Sequence, residues 1–247
     1  MIKKMNDNTG FNAEQYAALY PDGIENHYWN EARNKIIEKA VNNVNIKGGK
    51  ILEIGCGKGI VVDYLNKHNF DTYGIELAKV APMPIIANKV QTGRDVQDLT
   101  TAECSQFTTV LLLDVIEHLP EPEVFLLQIK SQFPHLKTIV FTVPARQELF
   151  SNYDEFNGHF RRYDLAMMRQ LADKIEAKRL WQTYFFHLLY WPARLTLCLF
   201  GKRKLYMNAP SKFGKPIHRL LALCMYFDFL FFPKKWRGSS IISIFYI

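Results

Sequence analysis

Acidic residues almost disappear from the last quarter of this 247-residue chain. Residues 179–247 hold eleven Lys and Arg against one acid, Asp228, a net charge of +10. The whole chain is +7, which leaves residues 1–178 at −3. Cysteine is scarce. Cys56, Cys104, Cys198 and Cys224 stand far apart, without the paired spacing of a zinc site or the density of a disulfide scaffold. That argues against both and points to a reducing compartment. Long apolar runs are missing too. The stretch 183–200 is broken by His187, Pro192 and Arg194, and 220–232 contains Asp228. Neither supplies the roughly 20 apolar residues that a membrane-spanning helix needs. Residues 1–8 lack the apolar core of a signal peptide. No internal repeat or low-complexity tract is visible. The chain is therefore expected in the cytoplasm.

What is present is a hydrophobic share of 48%, enough for a full core. The length suits one domain with an insertion. The most informative stretch is Ile51-Leu52-Glu53-Ile54-Gly55-Cys56-Gly57-Lys58-Gly59. A buried strand leads into a loop with three alternating glycines, and a helical pattern follows (Ile60, Val61, Tyr64, Leu65). Then Gly74-Ile75-Glu76 ends a second strand in an acid. This is the first half of a nucleotide-binding α/β unit. Such a loop needs glycine to turn sharply and lie against a ligand. The acid is placed to accept from two ribose hydroxyls. The loop lacks the third glycine spacing that seats a pyrophosphate, and Glu53 would repel a phosphate. Both departures suit a ligand with a ribose and a positive centre.

Glu53-Ile-Gly-Cys-Gly-x-Gly resembles motif I of the class I S-adenosylmethionine (SAM)-dependent methyltransferases, and Gly74-Ile75-Glu76 resembles their motif II. The resemblance implies a doubly wound, mostly parallel seven-stranded Rossmann-like sheet with an antiparallel last strand. It implies SAM as cofactor and S-adenosylhomocysteine as product. The rest of the body agrees with alternating strands and helices. An amphipathic helix is expected over 29–44, a helix over 58–68, and strands at 50–55, 71–76, 85–92, 109–113, 137–143, 180–186 and 240–247. Pro120 and Pro122 open a helix to about Phe133, and another covers 164–176. Three parts follow: a helical lid at 1–45, a core at 46–186 and 239–247, and a helical insertion at 187–238.

Ligands in open α/β sheets bind beyond the carboxyl ends of the strands. Gly55, Cys56, Gly57 and Gly59 follow strand one and should pass beneath the cofactor. By resemblance, Glu53 helps hold its amino-acid end, Glu76 binds the ribose, and Leu77 packs on the adenine. Asp95 and Val96 meet the adenine amino group, with Asp98 as the alternative acid. Asp114 and Val115 line the methionine end.

Asp114-Val115-Ile116-Glu117-His118-Leu119 resembles the post-strand-four segment of small-molecule O-methyltransferases, including those of ubiquinone biosynthesis. His118 is a candidate base, since imidazole can take a hydroxyl proton near neutral pH. Alternatively Glu117 and His118 brace the loop. The segment Asp154-Glu155-Phe-Asn-Gly158-His159-Phe160-Arg161-Arg162-Tyr163 resembles one found in a large bacterial methyltransferase group. It supplies His159 as a second candidate base. Arg161 and Arg162 are candidate clamps for an anionic group, and Tyr153 and Tyr163 candidate pocket walls. The bland reading is that Arg161 pairs with Asp154 or Glu155 and fixes the loop. From the lid, Tyr20 is a candidate substrate contact beside Tyr16, His27, Tyr28, Trp29 and Arg33, which otherwise pack helix one. Methyl transfer from a sulfonium needs alignment and a proton acceptor. No metal is expected.

The basic tail carries 17 of the 34 aromatics. Lys202-Arg203-Lys204 and Lys234-Lys235-Trp236-Arg237 flank its apolar stretches, a pattern suited to helices lying in an anionic membrane interface. A helical cap or a dimer contact is the alternative. The expected partner is a small-molecule or lipid-linked acceptor, methylated on oxygen, with the enzyme peripheral at the inner membrane face. Nucleic acid is the weaker partner, because the base-amine methylation signature is missing and the tail is apolar. A SAM-binding protein without transferase activity is the third reading.

Overall fold

The computed structural model describes residues 12–44 and 49–247. The leaderless reading of residues 1–8, and the two ends of the expected lid, lie outside the described residues. Seven strands form one sheet: β1 (Lys50–Ile54), β2 (Thr72–Glu76), β3 (Val90–Thr92), β4 (Phe107–Leu113), β5 (Thr138–Pro144), β6 (Arg179–Phe185) and β7 (Ser240–Tyr246). Their order is β3-β2-β1-β4-β5-β7-β6. The strands from β1 to β5 pair in parallel, and β7 runs antiparallel between β5 and β6. The helices are α1 (Ala13–Leu19), α2 (Tyr28–Asn43), α3 (Ile60–Lys67), α4 (Thr101–Cys104), α5 (Pro122–Gln132), α6 (Asn152–Phe156), α7 (Leu165–Lys174), α8 (His187–Phe200) and α9 (Lys215–Phe231).

The strands are covered on both faces, which is why β4 and β5 read as continuous apolar runs rather than alternating ones. Val110, Leu112, Ile139 and Phe141 point towards α5 and α7. Leu111, Leu113 and Val140 point the other way, towards α2, α3 and α9. Pro122 sits in the first turn of α5, where its missing N–H has no intrahelical partner to lose.

Two expectations are corrected. Of the strand expected at 85–92, only Val90–Thr92 is extended; Pro84–Lys89 is a 3-10 turn. Pro84 starts the turn, and Ile86 tucks beside Cys56, Val62 and Val90. The helix expected from residue 58 begins at Ile60, because Gly59 holds φ +85°. The insertion is also part of the core. Through Ala222, Met225 and Phe229, α9 packs in the cluster that holds Ile36 and Ile37 of α2. Asp228 is buried there and takes the His187 N–H at 2.8 Å, pinning the start of α8. Among the described residues, no helix is long and apolar enough to cross a membrane.

Gly74, in the middle of β2, has no room for a side chain. A Cβ there would lie 2.5 Å from Cys56 Sγ and 3.0 Å from Val62 Cγ2. Gly74→Ala is expected to destabilise the protein by about 1–3 kcal/mol by overpacking, read from the urea midpoint. Adding Cys56→Ala should return part of that loss.

Candidate active site

The carboxyl ends of β1, β2, β4 and β5 contribute Ile54, Glu76, Leu113 and Pro144 to one cavity of about 890 Å³. The loop after β1 lies at its floor. Gly55, Gly57 and Gly59 all have positive φ, which glycine alone adopts cheaply. A Cβ on Gly55 would strike Val115 Cγ2 at 2.9 Å. Glu76 ties this loop to β2: Oε2 accepts from Gly57 N at 2.8 Å and Oε1 from Ala78 N at 2.9 Å. Tyr16 also hydrogen-bonds Glu76, and burial together with that acid pushes its phenol pKa up. It therefore stays protonated and donates.

Residues from the N-terminal segment cross the cavity. Tyr20 lies over Gly57, whose Cβ would meet the phenol oxygen at 3.0 Å. The Tyr20 carbonyl accepts from Lys58 Nζ at 2.8 Å. Gln15 Nε2 donates to the Phe156 carbonyl at 2.7 Å, and Met207 N donates to the Ala18 carbonyl at 3.0 Å.

Two acids, the buried Glu53 and the half-buried Asp114, face this segment. Glu53 is 3% exposed, and its Oε2 reaches no hydrogen-bond partner. Burial pushes its carboxyl up to about 8; Arg33 opposes the shift, and Glu76 and Asp114 add to it. Asp114 has φ +59°, a strained value at the end of β4. Arg33 of α2 answers these charges. Its Nη2 donates to Asp114 Oδ2 at 2.6 Å and Thr142 Oγ1 at 3.0 Å, and its guanidinium lies 5.1 Å from the Trp29 ring centre. The residues fit the cofactor expected from motif I: the orphaned Glu53 oxygen offers a site to a cationic group, and Leu77, Asp95 and Val96 line the same end of the cavity. Asp98 does not line it. Asp95 also caps a short turn, accepting from Gln97 N at 3.0 Å.

The loops after β4 and β5 bring His118 and His159 together, with ring centres 4.7 Å apart and ring planes at 82°. Burial and the neighbouring His159 push the His118 pKa down to about 4. His159 Nδ1 lies 2.9 Å from Asp154 Oδ1, which also accepts from Arg162 Nε at 2.8 Å. Burial alone would raise the Asp154 carboxyl, but the hydrogen bonds and charges of His159 and Arg162 hold it below its ordinary value.

Tyr153, His159 and Arg162 line the cavity. Arg161 and Tyr163 do not, which corrects the expectation that both touch substrate. Arg161 donates to the Pro120 carbonyl at 2.7 Å, and Tyr163 donates to the Ile116 carbonyl at 3.0 Å. Asp154 takes Arg162, so Arg161 is left to brace the loop from outside. Gly57 and Gly59 shape the loop but are not on the wall.

The far end is formed by the insertion. Leu189, Pro192, Ala193 and Thr196 of α8 line it with Arg203, Lys204 and His218. Arg203, read from sequence as a membrane-facing base, lies 5.2 Å from the Tyr153 ring centre, and burial together with Arg162 lowers its pKa. His218 accepts from Tyr28 N at 3.1 Å. Neither His218 nor the α8 wall carries a local motif that marks it in the sequence.

Asp154 is expected to matter for stability. Its carboxyl is held low in the fold, so its contribution is present above the ordinary value of 3.8 and is lost as pH falls below it. Asp154→Asn leaves Arg162 buried without its charge partner. It should cost about 3–5 kcal/mol at pH 7. Urea midpoints of variant and wild type should converge as the medium is acidified.

The family description "Methyltransferase domain" matches residues 26–180. A ubiquinone biosynthesis O-methyltransferase of Coxiella burnetii is 26% identical over 103 residues, 39% of this chain and 43% of that protein. The chain thus spans less than half the length of this curated relative. Among solved structures, a phosphoethanolamine N-methyltransferase 2 of Haemonchus contortus aligns over 94% of this chain and 55% of its own, at 14% identity and a TM-score of 0.54. The plantazolicin methyltransferase BamL aligns over 94% of each chain, at 13% identity and a TM-score of 0.53. At these identities the solved structures speak for the fold. The family match runs from just before α2 into β6, and it places the chain in the methyltransferase-domain family of class I SAM-dependent methyltransferases.

Proposed function

We propose that this methyltransferase acts on an oxygen of an amphipathic, lipid-linked acceptor that carries an anionic group, while docked on an anionic membrane surface. The observation that carries this reading is the two-sided helix α8. Leu189, Pro192 and Ala193 line the cavity, while Leu188, Trp191, Leu195 and Leu199 of the same helix are exposed. An apolar acceptor chain can therefore pass from a lipid surface to the cavity along one helix. Phe213, Ile217, Leu220 and Phe231 extend the exposed apolar area onto α9 and the segment before it. Exposed apolar surface of that extent marks an interaction site. Lys202, Lys234, Lys235 and Arg237 around it favour anionic headgroups.

SAM supplies an electrophilic methyl group on a positive sulfur. Its end of the cavity carries the Asp114 carboxylate and the Glu53 carboxyl, which a bound cation draws into its ionised form, and Glu76 sits where a ribose can be held. Arg203, with Arg162 and Lys204 nearby on the wall, suits an anionic substituent on the acceptor. Burial keeps the His118 ring neutral near neutral pH, the form that accepts a hydroxyl proton. An oxygen acceptor also agrees with the activity named for the Coxiella burnetii relative.

Two measurements test the reading. Calorimetric titration with SAM should show binding by the wild type and its loss in Glu76→Ala. Glu53→Gln should weaken binding about 10- to 100-fold, the loss of one charge-assisted hydrogen bond, without lowering the melting temperature of the free protein. Absence of wild-type binding would sink the catalytic reading. In flotation, the protein should rise with phosphatidylglycerol vesicles and stay behind with phosphatidylcholine vesicles. Leu195→Glu/Leu199→Glu should abolish flotation and leave SAM affinity unchanged. A wild type that ignores both vesicles removes the membrane part of the proposal.

A further inference from the structure

We propose that Glu117, His118 and His159 form a binding site for a divalent first-row transition metal ion on the wall of the cavity. One carboxylate oxygen and one nitrogen from each ring lie within 4.8 Å of one another. Tetrahedral metal–ligand bonds of about 2.1 Å put ligand atoms about 3.4 Å apart, so the site must close by up to about 1.4 Å on loading. The three residues sit on the loops after β4 and β5, far apart in sequence. No metal-ligand spacing in the sequence reveals them, and the expectation of a metal-free site came from the small demands of methyl transfer.

Glu117 gives the independent reason. It is 0% exposed, and neither of its carboxylate oxygens reaches a hydrogen-bond partner. A carboxylate removed from water is costly unless it is paired or coordinates a metal. Tyr163, which contacts the adjoining backbone, gives its hydroxyl to Ile116 and not to Glu117. Arg33 and Arg162 make their hydrogen bonds to Asp114 and Asp154. A cation between the carboxyl group and the two rings would partner both oxygens that no protein group reaches.

The His159 ring is anchored as metal ligands commonly are. His159 gives Nδ1 to the buried Asp154, at 2.9 Å. The carbonyls of Asn157 and Gly158 act on the His118 ring. Anchoring Nδ1 fixes the His159 tautomer and presents its Nε2, the arrangement common around protein-bound metals. Two imidazole nitrogens and one carboxylate favour zinc, cobalt, manganese or iron over calcium and magnesium, which take mainly oxygen ligands. Three protein ligands also leave coordination positions open. All three residues line the cavity, so an acceptor oxygen can fill one of those positions; with an ion bound, His118 serves as a ligand, and acidification of the metal-held hydroxyl takes the place of the ring as base. That role rests on the methyl-transfer reading; the existence of the site does not.

The test is cobalt titration of the purified full chain, followed by visible absorption and by melting temperature. The expected result is one equivalent of bound Co²⁺ with ligand-field bands, no sulfur charge-transfer band, and a rise in melting temperature. Zn²⁺ should displace it. Glu117→Gln keeps the side-chain shape and removes an unpartnered buried acid, so the metal-free protein should melt at or above the wild-type temperature. It should lose the cobalt-induced rise, and cobalt affinity should fall beyond the roughly 10–100-fold typical of outer-shell changes. His118→Asn supplies the same comparison if that variant folds poorly. Three results overturn the proposal: no ligand-field bands, bands unchanged in both variants, or a sulfur charge-transfer band lost in Cys198→Ser/Cys224→Ser. SAM titration of the same samples separates the two ideas, because lost cofactor binding with intact cobalt binding indicts the methyl-transfer reading alone.

Discussion

The ligand edge of the sheet depends on one buried positive charge, Arg33. Glu53, Asp114 and Glu117 crowd the ends of β1 and β4, and the Arg33 guanidinium lowers the cost of ionising Glu53 and Glu117 while bonding Asp114 directly. One cation shared among three acids pairs Asp114 and leaves Glu53 and Glu117 incompletely partnered. Glu53 Oε2 and both Glu117 oxygens show that incompleteness. Burial pushes both carboxyls towards their neutral forms. Their unpartnered oxygens are groups that a bound cation can engage.

Arg33 also explains why α2 belongs to the site as much as to the core. One side of the helix packs Ile36, Ile37 and Val41 into the cluster that holds α3 and α9. Its first turns carry Tyr28, Trp29 and Arg33 to the cavity. The negative, catalytic part of the chain and the basic insertion meet on this helix. His187 and Asp228 close the junction inside the insertion, where the tail's one acid is spent holding α8 and α9 together. The charge asymmetry along the sequence is therefore a division of surfaces within one packed unit.

Much of the fold was legible because parallel strands buried on both faces leave continuous apolar runs, and because the glycine loop and the acid ending β2 are local patterns. The same locality sets the limits. Ile85 and Ile86 look like strand residues, but Pro84 turns the chain and Ile86 packs beneath Gly59. Arg161 and Arg162 are adjacent and alike in sequence; which one faces the cavity is decided by Asp154, eight residues from Arg162, whose carboxylate accepts from it. Arg203 reads as one of three consecutive basic residues, yet it is drawn inward against Tyr153. The grouping of Glu117 with His118 and His159 exists only after β4 and β5 align in register, with Leu113 opposite Thr142.

Tyr20 stands over Gly57, on the loop that a bound nucleoside must approach. Tyr20 ends α1, and α1 is fastened to α6 through Gln15 and to the segment before α9 through Ala18. The cover over the glycine loop and the insertion are thereby held to each other. A surface that grips the insertion bears on that cover without touching the reacting atoms.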